Sequence, residues 1–306
     1  MKLGSNDISA VKIGSTDVNK IYIGSTEVWT SFTGLLDTYS GADAAYSLRR
    51  LSSTYEGSAI EVRRDSDNAT QDIGFVNNEL DVTTLDTFCS GTNGFVTTWY
   101  DQSGNGNDAT QTTASNQPKI YDSVSGVIEE NGKAAIQFDG SDDKFDSVSF
   151  LNGLDNASII NVSSPIANNI FSNVYSGFDS FSLFNILFRY QDDSKIFIGL
   201  SGLSANGNYS TSTSYAARQN LIFVNFDNSL TSGNQVDVYL NSSDANASGS
   251  NDVGTLKSPT NGHIGSRSGS NNFNGNMQEI IFYASEQSTN RSGIETNIND
   301  FYSIYP

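Results

Sequence analysis

Short apolar runs separated by turns rich in Gly, Asn, Ser and Asp make up most of the chain after residue 134. β-Branched and aromatic residues dominate these runs, which is typical of strands that pack on at least one face. Many strands at this spacing indicate a sandwich or barrel. We therefore predict an all-β fold with strands over residues 134–138, 157–162, 181–190, 195–200, 221–226, 235–240 and 277–283, preceded by strands at 59–64 and 72–76.

A few segments show helical spacing instead. Asp43 can cap a short helix over residues 44–51, and Asp81 can cap a second one that ends before Cys89. Ser288 can cap a final helix, which we expect to dock on the sandwich through one apolar stripe formed by Ile294, Ile298, Phe301 and Tyr302.

The N-terminal segment follows a different pattern, a ten-residue unit repeated three times at residues 3–8, 13–18 and 23–28. Each copy is a short strand broken at Gly-Ser. A unit this small cannot bury its own apolar face, so the copies must stack on one another, on the main domain or on other subunits. We predict that residues 1–31 form an attachment and oligomerisation element, most simply of a homotrimer, and that residues 32–306 form the main domain. A self-contained strand meander is the alternative for the first segment.

Residues 95–100 read as a strand that leads into an Asp-, Asn- and Gly-rich turn over residues 101–108. Glycine permits positive φ in such a turn, and carboxylate and amide oxygens are the ligands that calcium prefers. The EF-hand spacing is absent, and a plain turn is the alternative. No cofactor is required by the sequence, and calcium is the candidate ion, with candidate ligands Asp101, Asp108, Asp139 and Asp142.

The charge of the chain narrows the classes of partner. Sixteen Lys and Arg residues against 34 Asp and Glu residues give a net charge of −18. Such a chain repels phosphate backbones and anionic lipids, so we expect neither nucleic acid nor a membrane surface as a partner. No apolar run approaches the ~20 residues that span a bilayer.

Single cysteine and histidine residues exclude several chemistries. Cys89 alone cannot form an intrachain disulfide, and we predict a buried, inert thiol. His263 alone cannot build a histidine-rich zinc site, and a Ser-His-Asp hydrolase would have to use it without any nucleophile-elbow glycine pattern. We expect His263 to be a surface or turn residue.

Three motifs carry a resemblance: DTFC at residues 86–89, WYDQSGNGNDATQ at residues 99–111, and segments around the paired arginines at 49–50 and 63–64. Together they resemble the catalytic domain of the arabinofuranosidase B family, whose relatives include non-enzymatic phage and bacterial surface proteins. The later landmarks resemble, in their order, laminin-G-like jelly rolls. The resemblance implies a concanavalin-like jelly-roll β-sandwich with a few short helices, and it does not by itself imply hydrolysis.

The resemblance also carries expectations about chemistry. A glycosidase uses two carboxylates, one of them protonated, and this chain has no glutamate between Glu130 and Glu279. The resemblance places the nucleophile of the family at Ala167 or Asn168 and its acid at Ser266 or Arg267, and none of these side chains can replace a carboxylate. The family enzymes are secreted and disulfide-bonded, whereas a single cysteine predicts folding in a reducing cytoplasm. We therefore predict that the chain is not an enzyme.

Recognition remains as the predicted function. We expect a bacteriophage virion surface protein, made in the bacterial cytoplasm, whose N-terminal repeats contact other virion proteins and whose lectin-like domain binds host cell-surface glycans. The candidate glycan-binding residues are Trp99, Tyr100, Asp101, Asn105, Asn107, Tyr175 and Tyr209, and packing of the aromatic residues under the loops is the alternative. Two other functions stay open: a purely structural decoration protein without a ligand, and an arabinofuranosidase-like glycoside hydrolase.

The paired arginines stand out in so acidic a chain. We expect Arg49-Arg50 and Arg63-Arg64 to form structural ion pairs with neighbours such as Asp65 and Asp67. The alternative is a cluster that binds a carboxylate-bearing sugar.

Overall fold

The protein is described here by a computed structural model that covers residues 2–3, 6–7, 11–13, 15–18, 20–167, 171–180 and 183–306. In these residues strands predominate, and 20 of them are joined edge to edge into one antiparallel sheet that curls into a sandwich. The predicted all-β, jelly-roll-like fold is therefore confirmed. The helices are α1 (Leu35–Thr38), α2 (Val82–Cys89) and α3 (Arg291–Tyr302), with a single 3-10 turn at Ala114–Asn116.

The N-terminal repeats form three separate hairpins. Strand β1 (Lys2–Leu3) pairs with β2 (Asn6–Asp7), β3 (Val11–Ile13) with β4 (Thr16–Val18), and β5 (Lys20–Ile23) with β6 (Thr26–Thr30). Each repeat thus supplies one two-stranded unit. Several repeat positions, including Gly4, Ser5 and Gly14, lie outside the described residues. The division at residue 31 and self-association through this segment stay predictions.

The remaining strands build the main domain. Those of the first half are β7 (Ala42–Ser47), β8 (Ile60–Arg64), β9 (Thr70–Ile73), β10 (Phe75–Val76), β11 (Glu79–Leu80), β12 (Gly94–Trp99), β13 (Ala109–Thr110), β14 (Lys119–Asp122), β15 (Gly126–Val127), β16 (Glu129–Glu130), β17 (Lys133–Ala134), β18 (Ile136–Asp139) and β19 (Phe145–Val148). Those of the second half are β20 (Asn156–Pro165), β21 (Ser172–Ser180), β22 (Leu183–Tyr190), β23 (Ile196–Ser201), β24 (Asn206–Thr211), β25 (Asn220–Asp227), β26 (Val236–Leu240), β27 (Ser243–Asp244), β28 (Ala247–Ser250), β29 (Asn261–Ile264) and β30 (Asn274–Tyr283).

Strand β20 lies in the middle of the sheet and is buried on both faces. It pairs with β25 on one side and with β30 on the other. Side chains alternate between faces along a strand. Accordingly Ile159 joins the large core between the layers, whereas Ile160 and Val162 join a second core that also holds Ile294 and Ile298 of α3. The apolar stripe predicted for the C-terminal helix is therefore confirmed.

The predicted helix over residues 44–51 is wrong. Residues 42–47 form β7, which pairs antiparallel with β30. Ala44 and Tyr46 face the large core and Ala45 faces the second core, so both faces of this segment are buried. Alanine favours a helix in isolation, but burial on two sides and pairing with a central strand outweigh that preference here.

Helix α2 follows the prediction closely. Asp81 accepts hydrogen bonds from the amide of Thr84 (3.0 Å) and from its hydroxyl (2.6 Å), which is the expected N-terminal cap. Cys89, at the end of this helix, is buried, and burial raises the pKa of its thiol to about 11. The predicted inert thiol agrees with this environment. Among the described residues, none of the helices has the length and apolarity needed to cross a membrane.

Candidate functional site

The turn after β12 is built around the carboxylate of Asp101, which is 4% exposed. Its Oδ1 accepts from the amides of Ala45 and Ser103, both at 2.8 Å. Its Oδ2 accepts from the Ser103 hydroxyl (2.7 Å) and the Asn107 amide (3.0 Å). Four donors from the chain itself therefore occupy the oxygens that a calcium ion would need. Asp101 holds the turn against β7, as a plain turn would require.

The asparagines of this turn serve the same purpose. The side-chain amide of Asn105 donates to the carbonyl oxygens of Ala42 (3.0 Å) and Asp43 (3.1 Å), and that of Asn107 donates to Asp43 (2.9 Å). Glycines 104 and 106 have φ of 90° and 73°, the positive values that the turn predicts. The donors of Asn105 and Asn107 are thus directed at the protein and not at a ligand.

Three of the candidate aromatic residues lie in the core. Trp99, Tyr175 and Tyr209 are each 0% exposed, so their rings cannot stack on a sugar. Trp99 packs 5.8 Å from the ring of Tyr46, and Tyr175 accepts a hydrogen bond from the Phe150 amide at 3.0 Å. Tyr175 and Tyr209 lie on strands β21 and β24, which are absent from the predicted strands because their Gly, Ser and Asn content hides the strand pattern.

Two further candidate residues, Tyr100 and Asp108, are less buried than these aromatic residues. The Tyr100 hydroxyl donates to Asp72 (2.8 Å). Asp108 is exposed and accepts from the Asp101 amide at 2.9 Å. These contacts again join parts of the turn and its neighbouring strand.

Three of the four paired arginines form structural ion pairs, whereas Arg50 donates to the carbonyl oxygen of Ser53 at 2.8 Å. Arg64 lies 2.6 Å from Asp67 and Arg63 lies 3.3 Å from Asp65. Arg49 makes a buried two-pronged pair with Glu279, at 2.8 and 3.0 Å. These contacts agree with the structural interpretation and leave the sugar-binding alternative without free guanidinium groups in Arg49, Arg63 or Arg64.

A second acidic turn, after β18, differs in arrangement. Carboxylate oxygens of Asp139, Asp142 and Asp143 lie within 4.8 Å of one another. Asp143 is 6% exposed, whereas the other two are exposed. Burial raises the pKa of Asp143 to about 7. The amide of Asp139 donates to the Asp143 carboxylate at 2.9 Å and opposes this rise, whereas the charges of Asp139 and Asp142 add to it. At neutral pH the carboxyl group of Asp143 is therefore about half protonated, and it lies beside two exposed aspartates. The role of Asp143 could not be predicted from the sequence, because burial of a turn aspartate leaves no sequence signal.

The acidic turn adjoins a cleft of about 450 Å³. Gly140 has φ of +80°, and a Cβ on it would lie 2.7 Å from the side chain of Asn274, so the turn packs tightly on β30. Glu130 accepts from the side-chain amide of Asn276 at 2.9 Å, and the buried Oδ1 of Asn276 has no hydrogen-bond partner in the described part of the chain. The cleft is lined by Glu130, Gln137, Phe138, Asp139, Ser164, Ile166, Asn274, Gly275 and Asn276.

The positions that the resemblance assigns to the catalytic carboxylates of the family contribute no acid. Ala167 is partly buried next to Ile166, and Asn168 lies outside the described residues. Ser266 is buried and donates to Asn272 at 2.7 Å, while the Arg267 guanidinium lies 5.7 Å from the ring of Phe178. Carboxylate chemistry in this chain must therefore come from other residues, and the acidic turn brings three together.

Residues 37–144 match the family described as "Alpha-L-arabinofuranosidase B, catalytic". The matched segment includes both acidic turns. Over 117 residues the chain is 38% identical to the alpha-L-arabinofuranosidase B of Emericella nidulans, covering 33% of this chain and 23% of that protein. Over 65 residues it is 43% identical to the enzyme of Penicillium canescens, covering 21% and 14% of the two chains.

Solved structures extend the likeness of the fold beyond the matched segment. A GH54 α-L-arabinofuranosidase soaked with a cyclic sulfate inhibitor superposes with a TM-score of 0.59 at 16% identity, covering 84% of this chain and 62% of that one. An arabinofuranosidase complexed with arabinofuranosyl-α-1,2-xylobiose gives 0.56 at 17% identity, with the same coverage. This chain thus spans less than two thirds of these relatives, and the likeness at such identity concerns the fold.

These findings confirm the resemblance to the arabinofuranosidase B catalytic family and overturn the function predicted from it. The relatives are fungal arabinofuranosidases and not virion components, so the prediction of a non-enzymatic bacteriophage surface protein, located on the virion, is wrong. That prediction gave too much weight to two replaced positions and to the single cysteine. The hydrolase held as an alternative fits the comparisons better.

Proposed function

We propose that the chain is a glycoside hydrolase that acts on α-L-arabinofuranosides at the cleft beside the acidic turn of residues 139–143. The observation that carries the proposal is the family match over residues 37–144, a segment that contains this turn. The turn places a carboxyl group with a raised pKa, that of Asp143, beside two exposed aspartates, and a glycosidase requires two carboxyl groups in different environments.

Asp143 is the candidate general acid. Its pKa of about 7 keeps it protonated at the pH where most solvent-exposed aspartates are ionised, so it can give a proton to the leaving oxygen. Asp139, which lines the cleft, is the candidate nucleophile. The carboxylate oxygens of the turn lie within 4.8 Å of one another, a spacing closer to the ~5–5.5 Å of retaining enzymes than to the wider gap of inverting ones. The expected product therefore keeps the anomeric configuration of the substrate.

The cleft also offers groups that can orient a sugar ring. The unpartnered Oδ1 of Asn276 can accept a hydrogen bond from a hydroxyl, and Glu130, which already accepts from Asn276, can accept another. Ile166 is 68% exposed at the rim and can cover the apolar face of a ring.

Release of 4-nitrophenol from 4-nitrophenyl α-L-arabinofuranoside tests the proposal. We expect kcat to fall by a factor of at least ~100 in Asp143→Asn and in Asp139→Asn, because each variant loses a proton donor or a nucleophile. Asp300→Asn, at an exposed position of α3, is the matched control and should keep full activity. The value of kcat/KM should decline above about pH 7 as Asp143 loses its proton.

The outcomes separate two parts of the proposal. If the wild-type chain releases no nitrophenol above the uncatalysed rate, the hydrolase assignment fails. If the wild type is active and both variants remain active, the activity stands but the acidic turn does not carry it.

A further inference from the structure

Arg189 on β22 lies between two aromatic rings on the face of the sheet opposite the large core. Its guanidinium carbon is 5.0 Å from the ring centroid of Phe171 and 4.4 Å from that of Phe197. The strand neighbours Phe188 and Tyr190 are 0% exposed and point into the large core, which fixes the opposite direction for Arg189. The two rings hold the planar group in one orientation.

This guanidinium has no carboxylate partner among the described residues. Its Nε is buried without a hydrogen-bond partner, and none of the described acidic side chains lies within ion-pair distance. Arg49, Arg63, Arg64 and Arg291 all pair with carboxylates in the same acidic chain. Burial lowers the pKa of Arg189, the positive charge of Arg267 lowers it further, and the charge of Asp192 opposes this. A guanidinium without a carboxylate partner among the described residues, in the field of the positive charge of Arg267, favours an anionic ligand.

The register of the sheet places polar groups beside Arg189. Asn173 of β21 is its direct cross-strand partner on one side, and Phe197 of β23 is its partner on the other. Directly paired residues share a face of the sheet. The Oδ1 of Asn173 is buried and has no hydrogen-bond partner within the described segments. An unused acceptor therefore lies in the same cross-strand row as the donors of Arg189. Phe171, at the edge of this row, is 44% exposed.

We propose that the row of Asn173, Arg189 and Phe197, with Phe171 at its edge, binds the carboxylate of a uronic-acid residue in an acidic oligosaccharide. The fork of Arg189 matches a planar carboxylate, and the exposed part of Phe171 covers the apolar face of the ring. A ligand with one carboxylate per sugar also suits a chain of net charge −18, which repels a dense polyanion such as a nucleic acid. The site goes beyond the proposed hydrolysis and does not depend on it.

Calorimetric titration of the full chain with trigalacturonic acid, and with its methyl ester as a neutral counterpart, tests the proposal. We expect the acid to bind at least about tenfold more tightly than the ester, because only the acid supplies the carboxylates. Arg189→Gln should weaken binding of the acid by a similar factor. Arg64→Gln, which removes an arginine already paired with Asp67, is the matched control and should bind as the wild type does.

Several results would overturn the site. Equal affinity for acid and ester would show that the carboxylate is not recognised, and unchanged binding in Arg189→Gln would place the ligand elsewhere. Displacement of the trisaccharide by an equal concentration of inorganic phosphate would reject a sugar carboxylate as the specific ligand. If Arg189→Gln lowers the melting temperature enough to prevent titration, the comparison of acid and ester on the wild type decides the question.

Discussion

The two acidic turns of the matched segment are alike in sequence and opposite in electrostatics. Both follow a strand, both are rich in Asp and Gly, and the sequence named two aspartates in each as calcium ligands. In the turn after β12, one buried carboxylate, Asp101, accepts four hydrogen bonds from the chain. In the turn after β18, three carboxylates crowd together, and Asp143 is kept protonated up to about pH 7.

The direction of the hydrogen-bond donors, not the count of acidic residues, decides what such a turn can do. Both oxygens of Asp101 are satisfied by donors within the fold, which fixes the turn in place. Asp143 is buried near like charges, so its charge opposes the native state. A group of the second kind can exchange a proton near neutral pH, which is why the second turn is the better candidate for chemistry.

The largest effect should come from Asp101→Asn. The variant keeps the shape of the side chain but replaces one acceptor oxygen with a donor, so two of the four chain donors lose their partner. We expect the free energy of unfolding to fall by ~3 kcal/mol in urea denaturation at pH 7. Asp108 accepts one hydrogen bond, from the amide of Asp101. Asp108→Asn should therefore lower the free energy of unfolding by no more than ~1 kcal/mol. Equal losses in the two variants would contradict the proposed anchoring role of Asp101.

For Asp143→Asn we expect the free energy of unfolding to rise instead of fall. The pKa of Asp143 is raised to about 7 in the folded chain, above its value in the unfolded chain. As the pH rises, the unfolded chain therefore loses this proton first. The free energy of unfolding consequently declines between about pH 4 and about pH 7. Removing the ionisation should raise the free energy of unfolding at pH 8 by about 1 to 2 kcal/mol, with little change at pH 4. Urea denaturation at both pH values measures this. A variant that is less stable than the wild type at pH 8 would contradict the crowding of charges.

The smallest expected effect concerns calcium. Asp139 and Asp142 are exposed and close together, whereas the oxygens of Asp101 are occupied, so any weak binding should occur at the second turn. We expect 5 mM calcium to raise the melting temperature by about 1 to 2 °C. Asp142→Asn should abolish this shift, and Asp108→Asn should leave it intact. If Asp108→Asn abolished the shift and Asp142→Asn left it intact, the candidate calcium site would be the turn after β12.

Much of the architecture could be predicted from the sequence because it depends on local patterns. The cap of α2 at Asp81, the apolar stripe of α3 and most strands of the second half follow from residue spacing alone. The segment over residues 42–47 could not be predicted, since its partner strand lies more than 200 residues later in the chain. Its alanines indicate a strand only once both buried faces are known.

The candidate sites were harder to predict for a related reason. The adjacent arginines drew attention because they are neighbours in sequence, yet those at 49, 63 and 64 are neutralised by nearby acids. Arg189 and Arg267 are far apart in sequence, and only the fold brings their charges together. Similarly, the buried state of Asp143 and the unpartnered oxygens of Asn173 and Asn276 exist only in the assembled sheet.

The pairing of β7 with β30 also sets an order of events during synthesis. Residues 42–47 emerge from the ribosome long before residues 274–283, and they cannot occupy their place in the sheet until that last strand is available. At a translation rate of about 5–20 residues per second, this wait lasts roughly 10 to 50 seconds. During that time the edges of β7 and β20 remain exposed to other chains, so the yield of folded protein should depend on chaperone capacity and growth temperature more than on equilibrium stability.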